Sequence, residues 1–400
     1  MNPTSSSPSP RNGPRRWSRW ACTLLVAACF GSLAGGQAVE PAERPFSPDH
    51  PAAARNLAGL PVRIAVAPPD DPRFAHLSWN KVVRTGPNTL ILAYVAGAFH
   101  GAHGGGSPAV SRSVDGGASF SPPEVLRRFG PELDYSCCGN LALGIAPDGA
   151  LVLLAMAYTG DRANHIFGWR SEDDGATWTP VDTAKLGPNK TGSVFGNVLP
   201  IEGRGLLVLG HYRPGSQPHS SGIWASVSQD HGRTWGEPRR ISDAPAVEPL
   251  VLRSGERLLA FLRGDREHGG RQFVAVSDDL GETWTTELSS LDAADPASAR
   301  LAAPCAVENP NRPGEILVLT TERARRGNTP GRIWLWRGDA RQFDWRRQRV
   351  LLEFPRVEGD PHTDFGYPWL VHLEGRRWLM FYYHGRSRGH CPLWVTEVNL

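Results

Sequence analysis

Six short apolar runs punctuate the chain, and each opens just after turn-forming residues. They are Leu90-Ile-Leu-Ala-Tyr94 after Gly86-Pro-Asn, Leu151-Val-Leu-Leu-Ala155 after Asp148-Gly, then Leu206-Leu-Val-Leu209, Leu258-Leu-Ala-Phe261, Ile316-Leu-Val-Leu319 and Trp378-Leu-Met-Phe381. Continuous apolar runs this short, bounded by turn formers, read as strands covered on both faces. Their leading positions are separated by 61, 55, 52, 58 and 62 residues, a period that holds four strands and their loops. The repeat predicts an all-β chain folded as a six-bladed β-propeller.

A polar pattern runs in register with the apolar one. Ser113-Val-Asp115-Gly-Gly117-Ala-Ser119-Phe120, Ser171-Glu-Asp173-Asp-Gly175-Ala-Thr177-Trp178, Ser228-Gln-Asp230-His-Gly232-Arg-Thr234-Trp235 and Ser277-Asp-Asp279-Leu-Gly281-Glu-Thr283-Trp284 start 23, 20, 22 and 19 residues after the first four leading positions. That offset puts each in the hairpin between a blade's third and fourth strands, where a short carboxylate accepts N–H bonds, Gly supplies positive φ and the aromatic anchors the turn. Arg337-Gly-Asp339 to Trp345 reads as a decayed fifth copy. A sixth would fall where the chain ends, so the last blade lacks an outer strand unless Val62-Arg-Ile64-Ala-Val66 supplies it and closes the ring. The four copies resemble the Asp-box of sialidases and related bacterial neuraminidase repeats, a resemblance that implies a scaffold role for them.

Composition fits this reading: 400 residues with 44 Gly and 35 Pro favour short strands and many turns. Residues 1–38 have the layout of a secretory signal, with Arg11, Arg15, Arg16 and Arg19 ahead of the apolar run Ala21 to Phe30. Val26-Ala-Ala-Cys29 resembles a lipoprotein processing site that would place a lipid anchor on Cys29, and Arg15-Arg16 is the pair of a twin-arginine signal. Residues 39–59 form a linker and 60–400 the propeller, so the protein is expected to be exported, secreted or periplasmic, or lipid-anchored to the envelope. Without the signal the formal charge falls from +3 to −1. No field for nucleic acid remains, and no later run is long enough to span a bilayer. Cys137, Cys138, Cys305 and Cys391 follow the signal, and their pairing is open. No cysteine or histidine spacing suits a metal, and no cofactor is expected.

In an antiparallel blade the start of the innermost strand and the end of the second share a rim, opposite the hairpins. Ten or so positions before each leading residue lie Asn80, Asn140, Phe195, Glu248, Cys305 and Tyr367; about five after it lie His211, Arg263 and Thr321, with Glu322 and Arg323 just beyond. Glu248-Pro249 leading to Arg263 is similar to the sialidase segment in which a Glu activates the nucleophile and an Arg binds the substrate carboxylate. Asp364-Phe-Gly-Tyr367-Pro-Trp resembles the segment carrying the nucleophilic Tyr, and Arg332 looks like the next member of the family's arginine triad, with Arg323 its competitor. The resemblance implies an exo-acting glycosidase that removes sialic acid or a related acidic sugar from a glycan. Guanidiniums suit a planar carboxylate, and a neutral Tyr escapes the repulsion an anionic nucleophile would meet. Blade one departs from the family: it has no Arg-Ile-Pro motif, and the acid could be His100 or His103, in Phe99-His-Gly-Ala-His103-Gly-Gly-Gly106, or Asp134. The same rim would serve a non-catalytic, lectin-like carbohydrate-binding propeller, which the incomplete arginine set favours.

Overall fold

A computed structural model describes residues 46–50, 53–57, 60–101, 104–160, 163–264, 271–297, 299–324, 330–355 and 363–400. The signal, Cys29 and His103 lie outside them. The described chain is β-structure throughout, with two single-turn 3₁₀ segments, Pro72–Phe74 and Ala184–Leu186, as its helical parts. None of its helices is long and apolar enough to cross a membrane.

A four-stranded antiparallel meander recurs along the chain in a β-propeller arrangement. The first comprises His76–Arg84, Leu90–Gly97, Ser107–Ser113 and Glu124–Val125; the second Cys137–Ile145, Leu151–Thr159, Ala163–Ser171 and Thr179–Pro180; the third Ser193–Ile201, Gly205–His211, Ile223–Ser228 and Arg239–Ser242. The fourth comprises Ala246–Ser254, Arg257–Gly264, Phe273–Ser277 and Thr285–Leu288, and the fifth Ala299–Glu308, Glu315–Ala324, Gly331–Asp339 and Arg346–Phe354, extended by Arg55–Asn56. Thr363–Glu374, Arg377–Arg386 and Leu393–Asn399 make the last, and Val62–Val66 joins it antiparallel, with Arg63 opposite Val395 and Ile64 opposite Trp394. The N-terminal strand thus fills the outer place that the chain's end leaves open.

Six separate blades were expected; the hydrogen bonding gives four separate sheets and an eight-stranded fifth. The fusion has a local cause. The innermost strands of the second and third meanders pair in parallel, Val198 opposite Gly144, and a Cβ on Gly144 would stand 2.0 Å from the Val198 carbonyl oxygen. Only glycine allows that approach. The second strands are the most deeply buried, Leu90–Gly97 along its whole length, because each meander has a neighbour against both faces.

Each Ser-x-Asp hairpin ties itself with the same bonds. Asp230 accepts the Thr234 amide at 2.8 Å, the Thr234 hydroxyl at 2.7 Å and the Ser228 hydroxyl at 2.8 Å, while Ser228 Oγ accepts the Gly232 amide at 2.8 Å. Asp115, Asp173 and Asp279 repeat the set. Consecutive positive φ values at His231 (60°) and Gly232 (85°) turn the chain. An arginine of the preceding meander then caps a carbonyl of the next one's outer turn: Arg112 to Asp174 (2.8 Å), Arg170 to His231 (3.2 Å), Arg239 to Glu282 (2.7 Å) and Arg257 to Ala340 (3.1 Å). Arg349 reaches Asn399 (2.5 Å) and Arg63 reaches Ala118 (3.1 Å), which carries the series across the ring closure.

Asp230→Ala removes three accepted bonds and is expected to lower stability by about 1–3 kcal/mol, read as a shift in urea midpoint with an unchanged slope. The hairpin carboxylates titrate below their ordinary value; the Thr177 hydroxyl and amide draw Asp173 down to about 2. Such a group stabilises above its unfolded pKa and stops doing so as pH falls through the folded one. Wild-type stability should therefore hold from about pH 7 to 5 and decline from about pH 4 toward 2, and Asp230→Ala should show a shallower decline.

Candidate active site

Every innermost strand carries a bulge at the same depth, between Ser78 and Lys81, Cys138 and Leu141, Phe195 and Val198, Val247 and Leu250, Leu301 and Pro304, and Gly366 and Trp369, with two extra residues in the third meander and one in each of the others. The bulge bends the strand and re-aims a side chain. Trp79, Glu248 and Tyr367 sit in these bulges with φ of 55°, 52° and 52°, a left-handed conformation that bulky residues seldom adopt. Pro249 and Pro368 follow two of them, where a missing N–H leaves no donor unpaired.

The bulges of the first, second, fourth and last meanders, with the ends of second strands, line a cavity of about 340 Å³. Tyr367 Oη donates to Glu248 Oε1 at 2.5 Å. Arg263, paired across the ladder with Val247, donates to Glu248 Oε2 at 2.7 Å and to Tyr367 Oη at 3.3 Å. Asn140 Nδ2 reaches Glu248 Oε1 at 3.4 Å, and the Glu248 amide donates to His211 Nδ1 at 3.2 Å. Arg323 lines the same cavity, donates to Tyr383 Oη at 2.6 Å and stands 3.3 Å from Asp364 Oδ1. Wider clefts on the hairpin side, such as one of about 600 Å³ lined by Ser254, Arg257 and Asp278, hold surface charges that pair with each other, Arg257 to Asp278 at 2.5 Å.

Burial sets the electrostatics. It pushes the Glu248 carboxyl upward, but Arg263 and the Tyr367 hydroxyl outweigh it and hold the group below its ordinary value. Burial and the Glu248 charge push the Tyr367 phenol up, so the resting Tyr is neutral. Burial and Arg213 drive His211 down to about 3, which keeps it neutral and an acceptor for the Glu248 amide. The arrangement can take a proton from Tyr367 onto Glu248 while Arg263 steadies both oxygens.

Of the residues read from sequence, Tyr367, Glu248, Arg263, Arg323, His211, Asn140 and His100 line this cavity. Arg332 and Asp134 do not join them. Arg332 points elsewhere in the fifth meander, to Glu353 at 3.5 Å and Glu322 at 3.8 Å, because it opens a third strand rather than ending a second. Asp134 is exposed on a neighbouring cleft with Arg127 and Tyr135, and its carbonyl accepts the Thr159 hydroxyl at 3.1 Å. His103 lies outside the described residues. Asn80, Phe195 and Cys305 miss the cavity wall too; the bulge hands the place of the first to Trp79.

Sequence reasoning missed Lys81, Asp364 and His76. Lys81 is fully buried beneath the cavity, donates to the Trp79 carbonyl at 3.0 Å and lies over the rings of Phe195 (4.3 Å), Trp369 (5.1 Å) and Tyr367 (5.6 Å). Burial, opposed by the Glu248 charge, brings its pKa down to about 7. Asp364 accepts from His100 Nδ1 at 2.6 Å and faces His76 Nε2 at 3.3 Å. These three offer ligand atoms within 4.8 Å of one another, but the Arg323 guanidinium already holds the same carboxylate, so a cation there would meet a fixed positive charge.

The β-propeller that carries this site has the fold of solved sialidase propellers. The chain belongs to the BNR repeat-like domain family, whose pattern matches residues 131–379. In solved structures the fold is similar to that of a Dyadobacter fermentans protein of unknown function, at 19% identity and a TM-score of 0.60, covering 88% of this chain and 100% of that one. The NanB sialidase of Streptococcus pneumoniae is similar at 12% identity and a TM-score of 0.63, covering 86% of this chain and 71% of that one. Trypanosoma rangeli sialidase, solved with sialic acid, gives 15% and 0.55, with 86% and 58% covered. No curated protein matches the chain.

Arg263→Ala leaves Glu248 buried without its main counter-charge, so the folded pKa of Glu248 should rise above the unfolded value. Stability lost in this way grows as pH rises through the carboxylate range. The variant should lose about 3–5 kcal/mol at pH 7 and clearly less at pH 4, measured as the difference from wild type in denaturant titrations at both pH values.

Proposed function

We propose that the chain is an exported exo-glycosidase of the sialidase type, a six-bladed propeller in which the fused eight-stranded sheet counts as two blades and the Asp-boxes are scaffold. It hydrolyses a terminal sialic acid or related acidic sugar through Tyr367 as nucleophile. One observation carries this reading: a neutral, buried Tyr367 hydroxyl lies 2.5 Å from an ionised, buried Glu248, with Arg263 in contact with both. As Tyr367 attacks the anomeric carbon, Glu248 takes its proton, and Arg263 and Arg323 face the substrate's carboxylate. The likeness to sialidases supports the fold on which this rests.

A lectin-like reading has its own support, since Arg263 and Arg323 each already face a carboxylate, Glu248 and Asp364. The two readings part on one residue. In the glycosidase, Tyr367→Phe should lower turnover of an aryl sialoside by roughly 1,000-fold or more while the sialoside still binds. A wild type that binds sialosides without turning them over would assign the site to binding alone.

A further inference from the structure

The site as described has a nucleophile and a base but no assigned donor for the leaving oxygen. Among the described residues Glu248 is the only carboxylate on the cavity wall, and it is engaged by Tyr367 and Arg263. His211 is buried and its Nδ1 accepts the Glu248 amide, so it carries no proton on that nitrogen to give. His100 remains. It lies on the loop after the first meander's second strand, a third exposed, on the wall of the same cavity, its ring 4.4 Å from that of Trp79.

We propose that His100 is the acid and base of the reaction and that Asp364 is its positioning residue. Asp364 is buried and accepts from His100 Nδ1 at 2.6 Å, which leaves the opposite nitrogen, Nε2, outside that bond on a residue that lines the cavity. The carboxylate is itself held from three further sides, by His76 Nε2 at 3.3 Å, Arg323 at 3.3 Å and Tyr383 Oη at 3.2 Å. That fourfold grip fixes the ring's angle and tautomer, the service a buried carboxylate performs for a catalytic histidine.

The proposal rests on the glycosidase reading, and its steps balance. Tyr367 Oη bonds to the anomeric carbon and gives its proton to Glu248, while the bond to the leaving oxygen breaks and that oxygen takes the proton of His100 Nε2, departing as an alcohol. Water then attacks the same carbon and gives a proton to His100 Nε2. The tyrosyl bond breaks, and Tyr367 recovers its proton from Glu248.

The experiment compares two sialosides, one with a lactosyl and one with a 2,4-dinitrophenyl leaving group, in wild type, His100→Ala, His100→Gln, Asp364→Asn and Tyr367→Phe, with folding checked by circular dichroism. A leaving group that departs unaided needs no acid. The His100 variants should lose about 100- to 10,000-fold on the lactosyl substrate and about tenfold or less in the first step on the dinitrophenyl one. Added azide should restore turnover and yield the glycosyl azide, since azide needs no base. Asp364→Asn should show the same asymmetry, smaller. Equal losses on both substrates, or none on either, with Tyr367→Phe inactive, would overturn the role of His100 alone; a wild type inactive on both substrates would overturn the glycosidase reading along with it.

Discussion

A strand that is apolar on both faces has to be covered on both, and in this chain the second strand of every meander is of that kind. No meander can supply the cover alone, so each leans on the next until the series meets itself. The pairing of Val62–Val66 with Leu393–Asn399 is where it meets, and it removes the two open edges that would otherwise invite association. The arginines that reach from one meander to a turn of the next repeat the same logic in polar form. Most are at least partly exposed, Arg170 being the buried exception, and each bond is weak by itself. Together they fix the angle between neighbours on the hairpin side, where the apolar contact runs out.

Ring closure has a second consequence at the centre, where the innermost strands converge. A regular ladder there would alternate side chains into the neighbouring sheets and leave only small residues facing the axis. The bulges break the alternation at one depth. At Trp79, Glu248 and Tyr367 the chain adopts a conformation that costs of order 1–3 kcal/mol each, and in return three large side chains from distant parts of the sequence share one cavity. The bulges at Gly196 and at Ala302 and Ala303 put no side chain on the cavity wall. The cavity thus has its shape because some bulges hold large residues and others hold glycine or alanine, as at Ala302 and Ala303 in the fifth meander.

Much of this was legible in the sequence, and the limits have physical reasons. The apolar period and the Ser-x-Asp hairpins are local patterns, and the strands and turns fall where those patterns put them. Glu248-Pro249 and Tyr367-Pro368 were readable as site residues, and their prolines also mark the bulges; the first meander's bulge carries no proline, so nothing in the sequence moves the rim position from Asn80 to Trp79. Spacing put Arg332 at the opening of a third strand and Arg323 near the end of a second, where the structure has them, but did not tell which of the two strand ends faces the cavity. Lys81 and Asp364 were not legible at all. Nothing near Lys81 in sequence tells that three aromatic rings from the third and sixth meanders will close over it. Asp364 meets His100 across 264 residues, and only the ring brings them together.

The cavity's charges are arranged as two neutral pairs, Arg263 with Glu248 and Arg323 with Asp364, above the buried amine of Lys81. Two unpaired guanidiniums in so enclosed a space would repel each other and carry a heavy desolvation penalty, so each needs a carboxylate nearby for the empty site to be stable. The pairing leaves both arginines with donors to spare, because a guanidinium has five N–H groups and a single carboxylate fills at most two. On the proposed glycosidase reading, an acidic sugar therefore need not break either pair to be recognised. It has to present its carboxylate at the edge of both. Tyr367 depends on the same balance: if Glu248 were protonated the phenol would have no base, and if Arg263 were absent the carboxylate could not stay ionised in that surrounding. The groups that would bind an anion and those that would activate the nucleophile in the proposed glycosidase are thus one electrostatic unit, held at one depth by the bulges and at one angle by the closed ring.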